Sequence, residues 1–294
     1  MTTDLLEQRG DRRLIKAEVR LGPPKPIHLL IGGAIGVPLG LGIVMQPHAL
    51  LLGIGGIAFV VYFAGATVIA MTRLRRFNGE NNAALGALGR GELAKAHEVF
   101  VRWAPRQPPI ISATARHNLG WTLMLEQRLE DAVTILEDTA EHYKRPLTRT
   151  GLLPTTLIDT TLCHALLGNL DQADIWFAKS QLPVKPTPHP SFPGMVALTR
   201  GIIDCRRGRT AEARVSLEHG WNEHEATLTG ETLRMMRVVR AFACATEDGP
   251  RSQGLVERIL GDMKPRYEGE FGFLGGAWPE MAVFLAAHHL ADAP

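Results

Sequence analysis

The chain has 294 residues, with 32 Lys+Arg against 30 Asp+Glu and three cysteines, Cys163, Cys205 and Cys244. An odd cysteine count without Cys-x-x-Cys spacing excludes a disulfide framework and a zinc ribbon, and free thiols suit a reducing cytosol. The small positive balance does not mark a nucleic-acid binder, because residues 77–294 hold 23 basic against 26 acidic residues and the excess lies upstream.

Residues 1–25 form an arm carrying Arg9, Arg12, Arg13, Lys16, Arg20 and Lys25. From Pro26 to Thr72 there follow 47 residues without one Asp, Glu, Lys or Arg. About 20 apolar residues cross a bilayer as a helix, so this run is too long for one span and right for two. Gln46-Pro47-His48 interrupts it with polar and helix-breaking residues. The expectation is a transmembrane helical hairpin over 26–72, with spans at 27–45 and 50–71, because helices satisfy their own backbone hydrogen bonds in hydrocarbon. Arg73, Arg75 and Arg76 follow it directly, and the turn between the spans has no Lys or Arg. The positive-inside rule then places both termini in the cytoplasm, with the chain held in an inner (plasma) membrane of bacterial style. Gly32, Gly36 and Gly40 repeat every four residues along the first span. Such stripes let helices approach closely in lipid, either span against span or as a homo-oligomer through the hairpin. The only residues in the run that change charge near neutral pH are His28 and His48, near span ends, which disfavours an ion pathway.

Residues 77–262 contain an internal repeat. Four segments share a turn residue, an Ala five positions later and a large apolar residue four beyond that. They are Gly91, Ala96, Phe100; Gln127, Ala132, Leu136; Gly168, Ala173, Phe177; and Gly208, Ala213, Leu217. Gly249 opens a fifth, less regular segment; successive turn positions lie 36, 41, 40 and 41 residues apart. Each segment reads as a helix–turn–helix unit. The turn residue ends one helix in the left-handed conformation that Gly adopts cheaply. The Ala is small where the two helices approach, and the large residue one turn on packs on the same face. One unit cannot bury its apolar face alone, so units stack into a solenoid.

This pattern resembles the tetratricopeptide repeat family. The second unit carries Asn118-Leu119-Gly120-Trp121, with the Leu-Gly pair of a first helix, and Gly201 holds the small first-helix position in the fourth unit. Thr161 departs from the pattern in the third, and the connections 145–154 and 182–194 are longer than the family's. The resemblance implies an all-α superhelix whose first helices line a groove that grips extended peptides. An unrelated helical bundle is the alternative. Residues 263–294 read as a loop followed by a capping helix from Trp278 to Leu290, with Pro279 in its first turn.

Sites for chemistry are sparse. There is no phosphate-binding Gly loop, dinucleotide fingerprint, Gly-x-Ser-x-Gly elbow or His-Glu-x-x-His helix. No catalytic residue, cofactor or metal is therefore expected, and the cluster His219, Glu223, His224 reads as a solvated helix end. Arg234, Arg237 and Arg240 recur at i, i+3 and i+6 on one helix face. Guanidiniums so spaced can pair bidentately with carboxylates, so they are the candidate peptide-groove residues for an acidic partner; the alternative is a solvated outer stripe. Asn118 joins them through the family resemblance alone. The expected function is a membrane-anchored scaffold that mediates protein–protein interaction without catalysis. The alternative is an oligomeric channel or transporter accessory built on the Gly-rich hairpin.

Overall fold

The computed structural model describes residues 49–105, 109–143, 152–182, 189–228 and 230–291. The arm and the first expected span, with Gly32, Gly36 and Gly40, lie outside these. The chain divides into two compact units, residues 1–81 and 82–294. The described residues form thirteen α-helices and one 3-10 turn, with no strand, so the fold is all-α.

The described part of the first unit is helical. Helix α1 (Ala49–Gly89) carries the second expected span but does not stop at Met71; it continues unbroken for 18 more residues. The Arg73–Arg76 cluster cannot end it, because Arg and Leu are good helix formers. Side chains are described from Phe59, and Phe59, Val60, Val61, Phe63, Val68, Ile69 and Met71 are all exposed. Thr67 and Thr72 donate their hydroxyls to the carbonyls of Phe63 and Val68, so neither needs a partner outside the helix. Among the described residues no helix is long and apolar enough to cross a membrane.

In the second unit the helices follow as α2 (Leu93–Trp103), α3 (Pro109–Leu125), α4 (Leu129–Tyr143), α5 (Leu152–Leu167), α6 (Leu170–Ser180), α7 (Phe192–Arg206) and α8 (Thr210–Glu218). Consecutive helices pack on each other, and α5 also touches α7, the alternate-neighbour contact of stacked helix pairs. The packing is helical-repeat-like, and its period is visible in the turns. Gly91, Gln127, Gly168 and Gly208 all have φ between 63° and 82°. Each donates its N–H to the carbonyl three residues back, and the next residue donates to the carbonyl five back, as in Glu92 to Ala87 and Arg209 to Asp204. This double bond is the Schellman motif, which satisfies carbonyls a helix end would leave orphaned.

The repeated side chains obey the same rule. Ala96, Ala132, Ala173 and Ala213 are each 0% exposed. Phe100, Leu136 and Leu217 are fully buried as well, whereas Phe177, in the unit with Thr161 at the small position, is only half-buried. Gly120 and Gly201 show why that position is small. A Cβ on Gly120 would lie 2.5 Å from Leu136 Cγ, and one on Gly201 would lie 2.7 Å from Leu217 Cγ. In both units the glycine meets the residue 16 positions on.

The pattern then changes. A short α9 (Trp221–Thr227) precedes α10 (Gly230–Asp248), a long helix buried along Met235, Met236, Val238, Val239 and Phe242. A 3-10 turn (Gly249–Ser252), α11 (Gln253–Leu260), α12 (Gly272–Gly275) and α13 (Pro279–Ala287) complete the chain. Phe242 holds α13 through edge contacts with Trp278 (4.9 Å) and Phe284 (5.5 Å).

The C-terminal segment does more than cover the last repeat. It returns along the row of inter-helix turns. Tyr267 lies against Gly91, where any Cβ would come within 2.3 Å of its ring. The Gln127 side chain rests on Gly272, and Arg206, stacked over Gly168, donates to the Ala277 carbonyl at 2.7 Å. The glycines of the first and third turns leave room for these contacts. The second turn keeps a glutamine at positive φ, and its amide meets the returning segment.

Candidate functional site

Helix α10 positions the arginines. Its apolar residues face the interior, and the three-residue spacing puts Arg234, Arg237 and Arg240 together on the remaining side. The structure brings all three into one cleft of about 510 Å³, bounded by α9, α10, α11 and the residues up to Met263. Arg258 of α11, which sequence reasoning passed over, lines it as a fourth guanidinium. Its i, i+3 neighbours showed no stripe, so the only signal was an isolated Arg on a short amphipathic helix. Asn118 does not line the cleft.

The four cations are not equivalent. Arg234 is consumed internally: Nε and Nη2 donate to the two Glu270 carboxylate oxygens at 2.7 and 2.9 Å. Glu270 is 3% exposed and also accepts from the Arg266 backbone N–H and side chain. Burial alone would push its carboxyl up, but the bonds from Arg234 and Arg266 outweigh that and hold it below its ordinary value. Arg234 is therefore a fastener of the C-terminal segment.

Arg237 pairs with Glu225 of α9 at 2.5 Å, with both side chains well exposed. Arg240 lies 4.4 Å over the Trp221 ring and 3.6 Å from Glu218, and its Nε has no hydrogen-bond partner. Arg258 is exposed and has no ion-pair partner among the described residues. The lining holds these four arginines with Glu225 and Asp262, while Glu270 and Glu218 lie against Arg234 and Arg240 from outside it. Apolar groups interleave with the charges: Leu255, Arg258 and Ile259 share one face of α11, and Met263 follows that helix.

A second polar cluster lies in the interior between α3 and α5. Helix α5 is buried from Leu153 to Leu166 almost without interruption, although it contains Thr156, Asp159, Thr160, Thr161 and His164. The threonines donate to carbonyls four residues back, which satisfies them within the helix. Because the Thr156 proton goes to Leu152 O, its oxygen accepts from His117 Nδ1 at 3.0 Å. Neutral His117 then presents a lone pair on Nε2, 3.6 Å from Asp159 Oδ2. A protonated Asp159 suits that lone pair and a carboxylate does not. Burial acts in the same sense, raising the Asp159 carboxyl well above 3.8 and holding His117 down at about 4. The hydroxyl–imidazole–carboxyl order is that of nucleophilic catalysis, but Thr156 is 0% exposed and no substrate reaches it. The sequence signal was the run of Thr, Asp and His in a segment too apolar to be a surface helix.

A carboxyl raised by folding is easiest to bury when it is protonated in both states, so its penalty grows as pH rises above the ordinary value of 3.8. Asp159→Asn is therefore expected to raise the melting temperature near pH 7, with an advantage that shrinks as pH falls towards about 4. Thermal melts of both proteins across that range check it. An advantage independent of pH would show that Asp159 is not held protonated.

Among the described residues no group of three or more His, Cys, Asp or Glu side chains is arranged to hold a metal. His219 and Glu223 are exposed, while His224 is buried beneath Gly220. Comparison with protein-family profiles, with curated proteins and with solved structures gave no match. The class that the fold defines is an all-α protein with helical-repeat-like packing.

Proposed function

We propose that the protein is a membrane-tethered scaffold of tetratricopeptide-like repeats that binds other proteins through the arginine-lined cleft and carries out no catalysis. The observation that carries this reading is the cleft itself. Guanidiniums from two helices converge on one concave space, and one of them, the exposed Arg258, has no ion-pair partner among the described residues. Acidic segments of partner proteins complement such a surface, and long-range attraction speeds their encounter. The membrane tether rests on the charge-free run at 26–72, its basic flanks and the exposed apolar residues of α1. A helix apolar on all sides needs a hydrophobic surrounding, which a bilayer crossed by a hairpin at 27–45 and 50–71, with both termini cytoplasmic, supplies.

The test removes two of the cleft charges, and melting curves check that the variant stays folded. Proximity labelling around the full-length protein is compared with an Arg237→Gln/Arg240→Gln variant, leaving Arg234 in place because it holds Glu270. Specific neighbours of the wild type are expected to be lost from the variant and to be enriched in acidic segments. An unchanged neighbour set would remove the cleft from the function. Reporter fusions after residue 25 and at the C-terminus are expected to be cytoplasmic, and a signal from the opposite side at the C-terminus would end the hairpin.

A further inference from the structure

The cleft lining mixes two chemistries, and its apolar residues are unexplained by charge. We infer that its ligand is a peptide segment in which carboxylates alternate with bulky apolar side chains, the carboxylates bound by Arg240, Arg258 and Arg237 and the apolar groups seated on Leu255, Ile259 and Met263. This inference rests on the scaffold reading and names the chemistry of the partner.

The arginines select carboxylates. Trp221 supports the Arg240 guanidinium from one face, so its donors are held in place before a ligand arrives. Arg258 is exposed and has no ion-pair partner among the described residues. Arg237 is held by Glu225, but both partners are exposed, and an exposed pair of this kind is weak and exchangeable. Glu225 thus occupies the place of an incoming carboxylate and competes with it.

The apolar lining residues argue against a bare anion. Leu255, Ile259 and Met263 are each half-exposed on the cleft. An inorganic ion would leave them wet, whereas an apolar side chain beside the acid covers them, at roughly 25 cal/mol per Å² removed from water. The space of about 510 Å³ is that of a pocket for a few side chains.

The experiment uses the full-length protein in detergent micelles and two fluorescein-labelled peptides of equal charge, one alternating Glu with Leu and the other Glu with Ser. Anisotropy is expected to show the Glu/Leu peptide binding about tenfold more tightly, the worth of one buried apolar side chain. Arg258→Gln is expected to weaken it by about tenfold, the loss of one charge-assisted hydrogen bond. Glu225→Gln is expected to tighten it by about threefold, since it removes the internal competitor. Both positions are exposed, and melting curves verify that neither variant is destabilised. A purely structural role for these residues predicts no gain from Glu225→Gln. Equal affinity for the two peptides overturns the alternating chemistry and leaves the scaffold reading standing. Binding that neither substitution changes overturns the cleft as its location. If neither peptide binds, the acidic-partner reading fails together with this inference.

Discussion

Glu270→Ala is expected to destabilise the repeat unit by about 3–5 kcal/mol, the cost of removing one partner from a buried ion pair. Glu270 is 3% exposed and accepts from Arg234 through both carboxylate oxygens, from the Arg266 backbone N–H and from the Arg266 Nε. Its loss leaves the Arg234 guanidinium beside the Lys264 carbonyl with no counter-charge. It also releases the segment that seats Tyr267 on Gly91 and Ala277 on Arg206. Urea unfolding followed by circular dichroism measures the effect, and a loss below about 1 kcal/mol would mean that the ion pair is not what fastens the segment. The pH dependence has a defined sign. A carboxyl held below its ordinary value of 4.5 contributes fully above that pH, and its contribution is lost as pH falls through the lowered folded value. Wild type and variant should therefore converge in acid.

The second large effect is expected at the helix crossings. Gly120→Ala and Gly201→Ala each drive a methyl into a buried leucine, at 2.5 Å from Leu136 Cγ and 2.7 Å from Leu217 Cγ. Leu136 and Leu217 are 0% exposed, so neither can swing away without moving its neighbours. Overpacking of this kind costs about 1–3 kcal/mol, against up to about 1 kcal/mol gained by replacing a helical glycine with alanine. Gly254→Ala in α11 is the control, because nothing lies within 4 Å of the added methyl; it should be neutral or stabilising. A double-mutant cycle locates the cause. Leu136→Ala is expected to cost less in the Gly120→Ala background than alone, since it opens the space the methyl needs. If Gly120→Ala stabilises the protein as the control does, the crossing is not as close as described.

The repeat was legible because its determinants are local. A left-handed residue closes a helix through two backbone bonds within six residues, and an Ala with a large residue one turn later defines a face. Both leave marks in sequence, so Gly91, Gly168 and Gly208, the four buried alanines and the glycines at 120 and 201 could be read directly. Even Gln127, which lacks the glycine signal, was placed by period and has φ 63°. The arginine stripe was legible for the same reason, since i, i+3 and i+6 share a helix face whatever surrounds it.

What those arginines meet was decided only by the tertiary structure. Arg234 finds Glu270 across 36 residues, Arg237 finds Glu225 on a short helix outside the repeat pattern, and Arg258 joins from α11. The same holds for His117 and Asp159, and for the returning segment that lays Tyr267 on Gly91. The sequence by itself determined the helices, their turns and the small-to-large pairing within each unit, because these depend on backbone geometry and neighbours a few residues away. Which distant side chains share a cleft depends on small rotations between units, which accumulate along a stack of repeats and which no single segment encodes.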